Sequence, residues 1–438
     1  MKKLSLKIIS GIAAILTALY ACFVAPVGVS AEKYSASTDF MAGKYGIFLH
    51  YLSSMQLGGS APLSSWNELV NSFDTDAFAK IADEVGASWV CITLTQSDGL
   101  YCIPMPELEN MIGGSKLSTD RDLVLDLYNS LEPYGIKLML YWIPGATTGN
   151  TAVAKALGAE RRVSGELAGG QSNSDYMLNW TVVKNQSSLM SAVSERYGDK
   201  ISGWWIDGCY DSTGFNERVA EQEAAALKSG NKNAVVAFNN GTKADDCRFE
   251  VEDYSAGEIC HPNSIAETDI FDYSAEGRWT ELGYQKHFLT FLGSNWGTGG
   301  TIYDTEELVK HCYENILSKG AALTLDVRVS GDGTIEADQY AQLVRLNEYV
   351  SSMPEITLDN IVDNRSGSAG AESDTSESSE NTEPSQTENI TDVSVKNESP
   401  GNGSVLRTVI IIAEAAVLAA GMVLITVMLI KRKRAERK

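Results

Sequence analysis

The sequence predicts an α/β fold, a (β/α)8 TIM-like barrel, followed by a disordered tether and one transmembrane helix. Three observations predict it. Between about Lys33 and Leu358, short apolar runs rich in β-branched and aromatic residues alternate with stretches whose apolar residues recur at helical spacing. Several of the strand-like runs end in a polar residue near a glycine, the pattern of a barrel rim that carries functional groups. Beyond Leu358 the composition turns to Ser, Glu, Thr and Asn, and then abruptly to an unbroken apolar run.

The elements follow in order. Lys44-Tyr-Gly-Ile-Phe-Leu-His50 is a first strand ending at a histidine. Residues 73–86 form an amphipathic helix with Phe78, Ile81, Ala82 and Val85 on one face and Gly86 as its stop. Ser88–Thr95 is a second strand, running into Gln96-Ser-Asp-Gly99. Asp120–Tyr134 is helical, and Ile136–Ile143 is strand three. Gln186–Tyr197 is a helix ended by Gly198, and Ile201-Ser-Gly-Trp-Trp-Ile206 is strand four. Asn216–Lys228 is the next helix and Ala234–Phe238 strand five. Phe249–Tyr254 is the candidate for strand six and Phe288–Leu292 for strand seven. Glu306–Ser318 is a helix, Ala321–Val327 strand eight, and Gln339–Ser351 the closing helix.

The two ends are read separately. Met1-Lys-Lys opens a basic region, Ile8–Val24 is apolar, and Val29-Ser-Ala31 is a small-residue cleavage site, so residues 1–31 read as a secretory signal peptide. The barrel body is then 32–358. Residues 359–404 are a tether that lacks enough apolar surface to fold. From Asp359 to Pro400 it holds ten Asp or Glu against two Lys or Arg. Residues 405–430 include the apolar run Thr408–Ile430, long enough to cross a bilayer as a helix, with Glu414 its one charge. The basic tail 431–438 follows and is expected on the cytoplasmic side. These signals together predict a cell-membrane protein with an extracellular body and a single C-terminal span.

The formal net charge of −22 excludes a nucleic-acid partner, because no basic field is present to neutralise phosphates. Four His and seven Cys show no metal-ligand spacing, so neither a metal nor a cofactor is expected. Cys22 lies in the leader, and Cys91 and Cys312 sit inside apolar patterns as buried thiols would. Nothing in the sequence speaks to the oligomeric state.

The chemistry concentrates at Asp207. A carboxylate at the end of a buried strand, preceded by Trp204 and Trp205 and followed by Gly208, suits a sugar site, since aromatic faces stack on sugar rings and a carboxylate can attack an anomeric carbon. The same Asp-Gly pair is equally an ordinary turn or helix cap.

Across most of the body the segments resemble, in order, the catalytic domain of glycoside hydrolase family 29, the α-L-fucosidases. The matching stretches are Lys44–His50, Phe73-Asp-Thr-Asp-Ala-Phe with Ala82–Gly86, Arg121-Asp-Leu-Val, Tyr134–Tyr141, Arg196–Gly208, Ser294-Asn-Trp-Gly297 and Gly331-Asp-Gly-Thr-Ile335. The resemblance implies a retaining glycosidase on a barrel, with a glycan as substrate. It places the nucleophile at Asp207, a matching aromatic at Trp205, a sugar-contacting histidine at His50 and a substrate-loop tryptophan at Trp66. Trp296 falls in a late substrate loop, and Arg248 is a candidate to orient the nucleophile or a sugar hydroxyl.

The departures are specific. The family's His-His-Asp-Gly is Gln96-Ser97-Asp98-Gly99 here, leaving Gln96 and Asp98 as the substrate-binding candidates of that loop. Ser65 stands where an acidic residue precedes the tryptophan, and Tyr51 replaces a tryptophan. The resemblance stops short of the family's C-terminal β-domain. For the acid/base, Glu252-Asp-Tyr-Ser-Ala-Gly-Glu258 resembles the family's Asp-aromatic-x-Thr-Pro-Glu loop, which points to Glu258, with Glu281 and Glu276 as alternatives. The competing expectation is a non-catalytic carbohydrate-binding protein on a degenerate barrel, favoured by loss of the paired histidines and opposed by retention of Asp207.

Overall fold

The computed structural model describes residues 34–59, 61–96, 99–143, 151–159, 176–242, 247–259, 277–280 and 282–361. The expected signal peptide, most of the tether, the span at 405–430 and the basic tail lie outside the described residues. Among the described residues no helix is long and apolar enough to cross a membrane.

Among the described residues seven strands form one wholly parallel sheet: β1 (Tyr45–Leu49), β2 (Trp89–Thr93), β3 (Lys137–Trp142), β4 (Ile201–Ile206), β5 (Val235–Phe238), β6 (His287–Phe291) and β7 (Ala322–Val327). Their order is β5-β4-β3-β2-β1-β7-β6, and among the described residues helices lie between successive strands except between β5 and β6, so the fold is α/β. The helix at Thr75–Glu84 begins where the Asp74 carboxylate accepts the Ala77 N–H at 2.9 Å, and it gives way at Gly86, whose φ of +71° carries the chain into β2.

Strand residues alternate between two cores, as the two-residue period of a strand requires. Ile47, Leu49, Val90, Ile92, Leu138, Leu140, Trp204 and Ile206 pack with the helices. Phe48, Trp89, Cys91, Met139, Tyr141, Trp205, Val235 and Leu289 pack together on the other face. Adjacent tryptophans of β4 therefore have different fates. Trp204 is core under the helices, and Trp205 belongs to the inner cluster that borders the site.

The expected sixth strand at Phe249–Tyr254 is not a strand. The physical reason is that side chains have taken the place of its backbone. The Asp253 carboxylate accepts the Val236 N–H at 2.8 Å and the Glu252 carboxylate accepts the Phe238 N–H at 3.1 Å, using β5 donors that the carbonyls of a neighbouring strand would use. Glu252 also accepts from the N–H groups of Arg248 and Phe249, and Asp253 pairs with Lys228 at 2.7 Å. One backbone bond to β5 remains, from the Asp253 N–H to the Val236 carbonyl at 2.9 Å, and the chain from Ser255 to Ile259 is bonded to the β6 side: Ser255 N–H to the Gln285 carbonyl at 3.0 Å, and Leu289 N–H to the Gly257 carbonyl and Ile259 N–H to the Leu289 carbonyl, each at 2.8 Å. Gly257 adopts φ +63°, and a Cβ there would fall 1.8 Å from the His287 carbonyl oxygen, so only glycine permits this close approach just before Glu258.

Candidate active site

Asp207 sits at the C-terminal end of β4, half-buried, with its N–H donated to the Trp142 carbonyl at 3.0 Å. Its two oxygens are held differently. Oδ2 accepts the Tyr141 hydroxyl at 2.8 Å. Oδ1 accepts the Asn239 side-chain amide at 2.9 Å and the Gly208 N–H at 2.7 Å, with the Tyr210 hydroxyl at 3.5 Å. Tyr141 in turn accepts from Gln96 Nε2 at 2.8 Å and stacks on Trp205, with ring centroids 5.4 Å apart and planes 15° from parallel. Trp205 is oriented by its indole N–H, which donates to the Ala256 carbonyl at 2.9 Å.

Glu258 faces the same space. Its Oε2 accepts from Asn239 Nδ2 at 2.5 Å. Burial, with the Asp207 charge second, pushes its carboxyl up to about 7, against the pull of the Asn239 hydrogen bond and of His50. One carboxyl kept protonated near neutrality beside another is the arrangement that separates an acid from a nucleophile.

His50, at the end of β1, is buried with Nδ1 at 2.8 Å from Asp326 Oδ1. Its ring lies 5.5 Å from that of Trp296 and 5.9 Å from that of Tyr141. These groups enclose a cavity of about 150 Å³ lined by Phe48, His50, Gln96, Tyr141, Trp205, Asp207, Glu258, Leu289 and Trp296. The lining combines the aromatic rings of Phe48, Tyr141, Trp205 and Trp296 with the carboxyls of Asp207 and Glu258, which suits a ligand with apolar and polar faces.

Of the residues singled out in the sequence, the structure brings together Asp207, Glu258, His50, Gln96, Trp205 and Trp296. It does not bring Trp66 to the cavity. That side chain is buried, its ring is 5.2 Å from Tyr51, and its indole N–H donates to the Tyr101 carbonyl at 3.0 Å, so it supports the fold beneath β1. Arg248 is likewise outside the cavity lining, because its guanidinium pairs with Asp211 at 2.6 Å and donates to the Cys209 carbonyl. Asp98, Glu281 and Glu276 lie outside the described residues. His287 is structural: burial pushes its imidazole down to about 4, and its ring nitrogens contact the Ser255 carbonyl at 3.0 Å and the Thr324 hydroxyl at 2.7 Å. Cys91, Cys102, Cys209 and Cys312 are buried free thiols.

Sequence reasoning missed Tyr141, Asn239 and Asp326. Asn239 stands just past the C-terminal end of a predicted strand, the position that had drawn attention to His50 and Asp207, while Tyr141 and Asp326 lie inside the last three residues of theirs, where only the folded sheet shows which side chains reach the cavity. Among the described residues no group of three or more His, Cys, Asp or Glu is placed to hold a metal ion.

A family model described as alpha-L-fucosidase matches residues 32–355. Among solved structures, an endo-fucoidan hydrolase of glycoside hydrolase family 107 aligns at 14% identity and TM-score 0.55, covering 72% of this chain and 53% of that one. This chain therefore spans about half the length of that protein. A second endo-fucoidan hydrolase of the same family aligns at 16% identity and TM-score 0.56, over 74% of this chain and 96% of the other. An alpha-L-fucosidase of family 29 from Bacteroides thetaiotaomicron aligns at 14% identity and TM-score 0.49, over 72% and 74%. No curated protein matches the sequence.

Proposed function

The chain belongs to the alpha-L-fucosidase family, and we propose that it is a retaining glycosidase that removes terminal sugars from extracellular glycans, with Asp207 as nucleophile and Glu258 as acid/base. One observation carries the retaining mechanism. Asn239 Nδ2 bonds Asp207 Oδ1 at 2.9 Å and Glu258 Oε2 at 2.5 Å, so these oxygens are at most 5.4 Å apart, the total of the two bonds. Retaining enzymes hold their carboxyls ~5–5.5 Å apart and inverting ones ~6.5–9.5 Å. In the first step an Asp207 oxygen bonds to the anomeric carbon as Glu258 gives its proton to the departing oxygen. In the second, Glu258 takes a proton from water as that water displaces Asp207. The Tyr141 hydroxyl and Asn239 amide steady the carboxylate before attack, and the stacked Tyr141 and Trp205 rings line the cavity beside the sugar.

In this reading the segment Asp253–Ile259 occupies the missing place in a (β/α)8 barrel, since it is bonded to both β5 and β6. The leader at 1–31 and the apolar run Thr408–Ile430 support a body held outside the cell by the tether 359–404. The experiment is covalent labelling with mechanism-based sugar probes beside a screen of aryl glycosides, α-L-fucoside first. Labelling at Asp207 with turnover supports the enzyme. Sugar binding without labelling or turnover would support the carbohydrate-binding alternative, for which the one favouring observation is that Gln96, standing where the family has histidine, spends its amide on Tyr141.

A further inference from the structure

Asn239 is 1% exposed and anchored by its own backbone to both sides of the nucleophile. Its N–H donates to the Ile206 carbonyl at 2.7 Å, and its carbonyl accepts the Cys209 N–H at 3.0 Å. The side chain then reaches across to Glu258, which sits on a segment bonded mainly to β6 rather than laddered to β5. Only one orientation of the amide suits this place, because the flipped form would set its oxygen against the Asp207 carboxylate. Asparagine also cannot ionise, so it joins two acidic groups without adding a third charge.

We propose that Asn239 is the positioning residue of the pair: its side-chain nitrogen holds Asp207 and Glu258 at their working separation and leaves Glu258 Oε1 as the oxygen that carries the transferable proton. The inference rests on the reading of Asp207 and Glu258 given above. Among the described residues, the titratable groups that face Glu258 are Asp207 at the end of β4, His50 at the end of β1 and Tyr210 from the loop after β4. Against that background the amide is the neutral donor that favours the ionised form. Without it the Glu258 carboxyl holds its proton to higher pH.

The test is Asn239→Leu in the full-length chain, since leucine matches the shape of asparagine and cannot donate; Asn239→Val is the second form should the first not fold. Two readouts are taken. The pH profile of kcat/KM is measured on a sugar leaving group and on an activated nitrophenyl leaving group. The Glu258 carboxyl is titrated by infrared difference against Glu258→Gln, with no substrate present. Expected are an upward shift of about one pH unit in both the alkaline limb and the carboxyl titration, the size of one hydrogen bond lost from an ionised group, and a larger loss on the sugar leaving group. A limb and a titration that stay in place, with equal losses on both substrates, overturn the proposal and leave Asn239 a packing residue. Should the wild-type chain neither label nor turn over, the glycosidase reading falls, and the carboxyl titration alone decides the role of Asn239: a rise supports it and an unmoved midpoint overturns it.

Discussion

Asp326 accepts the Nδ1 proton of His50 at 2.8 Å, and its second oxygen accepts the backbone N–H of Gly297. A carboxylate with two buried donors fixes the imidazole tautomer, leaving Nε2 for the cavity, and pins the loop that carries Trp296. Asp326→Asn keeps the shape but sets an NH2 group against one of those donors. We expect kcat/KM to fall by roughly 10–100-fold, the equivalent of one charged hydrogen bond. Steady-state kinetics with the nitrogen chemical shifts of His50 check this, and an unchanged tautomer with full activity would contradict it.

Asp207→Asn removes the carboxylate proposed to attack while retaining a side chain that can accept from Tyr141. Turnover should drop on the order of 10⁴-fold or more, with the fold kept, because a rim residue serves function more than stability. The check is a progress curve on the best aryl glycoside beside a near-ultraviolet circular dichroism spectrum. Near-normal activity removes Asp207 as nucleophile.

Glu258, pushed up to about 7 by burial and by Asp207, must be protonated to donate. The proton is present below that value and is lost as pH rises through it, so kcat/KM on a sugar leaving group should decline above pH ~7. Glu258→Ala should cripple that substrate and spare glycosylation by an activated nitrophenyl glycoside, and azide should rescue it by attacking from the vacated space. If both substrates slow equally and azide does nothing, Glu281 becomes the better candidate.

Glu223 makes a separate prediction about stability. It is fully buried in the helix Glu217–Leu227, neither oxygen has a hydrogen-bond partner among the described residues, and burial pushes its carboxyl from 4.5 to about 8. The folded state therefore holds a proton that the unfolded chain gives up near 4.5. This contribution to stability is fully present below that value and is lost as pH rises through about 8. Glu223→Leu should raise Tm by several degrees at about pH 9 and by little at about pH 5. Thermal melts at the two pH values decide it, and an equal change at both would contradict the account.

The proposed topology is tested on intact cells. Protease added outside should release a fragment ending within residues 360 to 404, because the tether is the stretch least able to fold. Protection of the body with cleavage of the basic tail would reverse the orientation.

The sequence by itself determined the seven described strands of the sheet to within a residue or two, most of the longer helices though not those at Leu63–Ser72 and Thr151–Leu157, and the positions of Asp207 and His50 at strand ends. These are local facts: a two-residue or 3.6-residue period and a polar residue where an apolar run stops. Composition alone did not separate two adjacent tryptophans: the resemblance singled out Trp205, and the pleat of β4 is the physical reason that Trp205 borders the cavity while Trp204 packs under the helices. Trp66 and Arg248 were legible as residue types, but their burial and pairing depend on Tyr101 and Asp211, which only the folded chain brings near. The loss of strand six turned on two carboxylates reaching β5 backbone donors, a substitution of side chain for main chain that no periodicity records. The Asn239 bridge and the Asp326–His50 pair belong to the same class. The latter joins residues 276 positions apart, and the parallel register of β1 with β7, not any pattern along the chain, sets that distance.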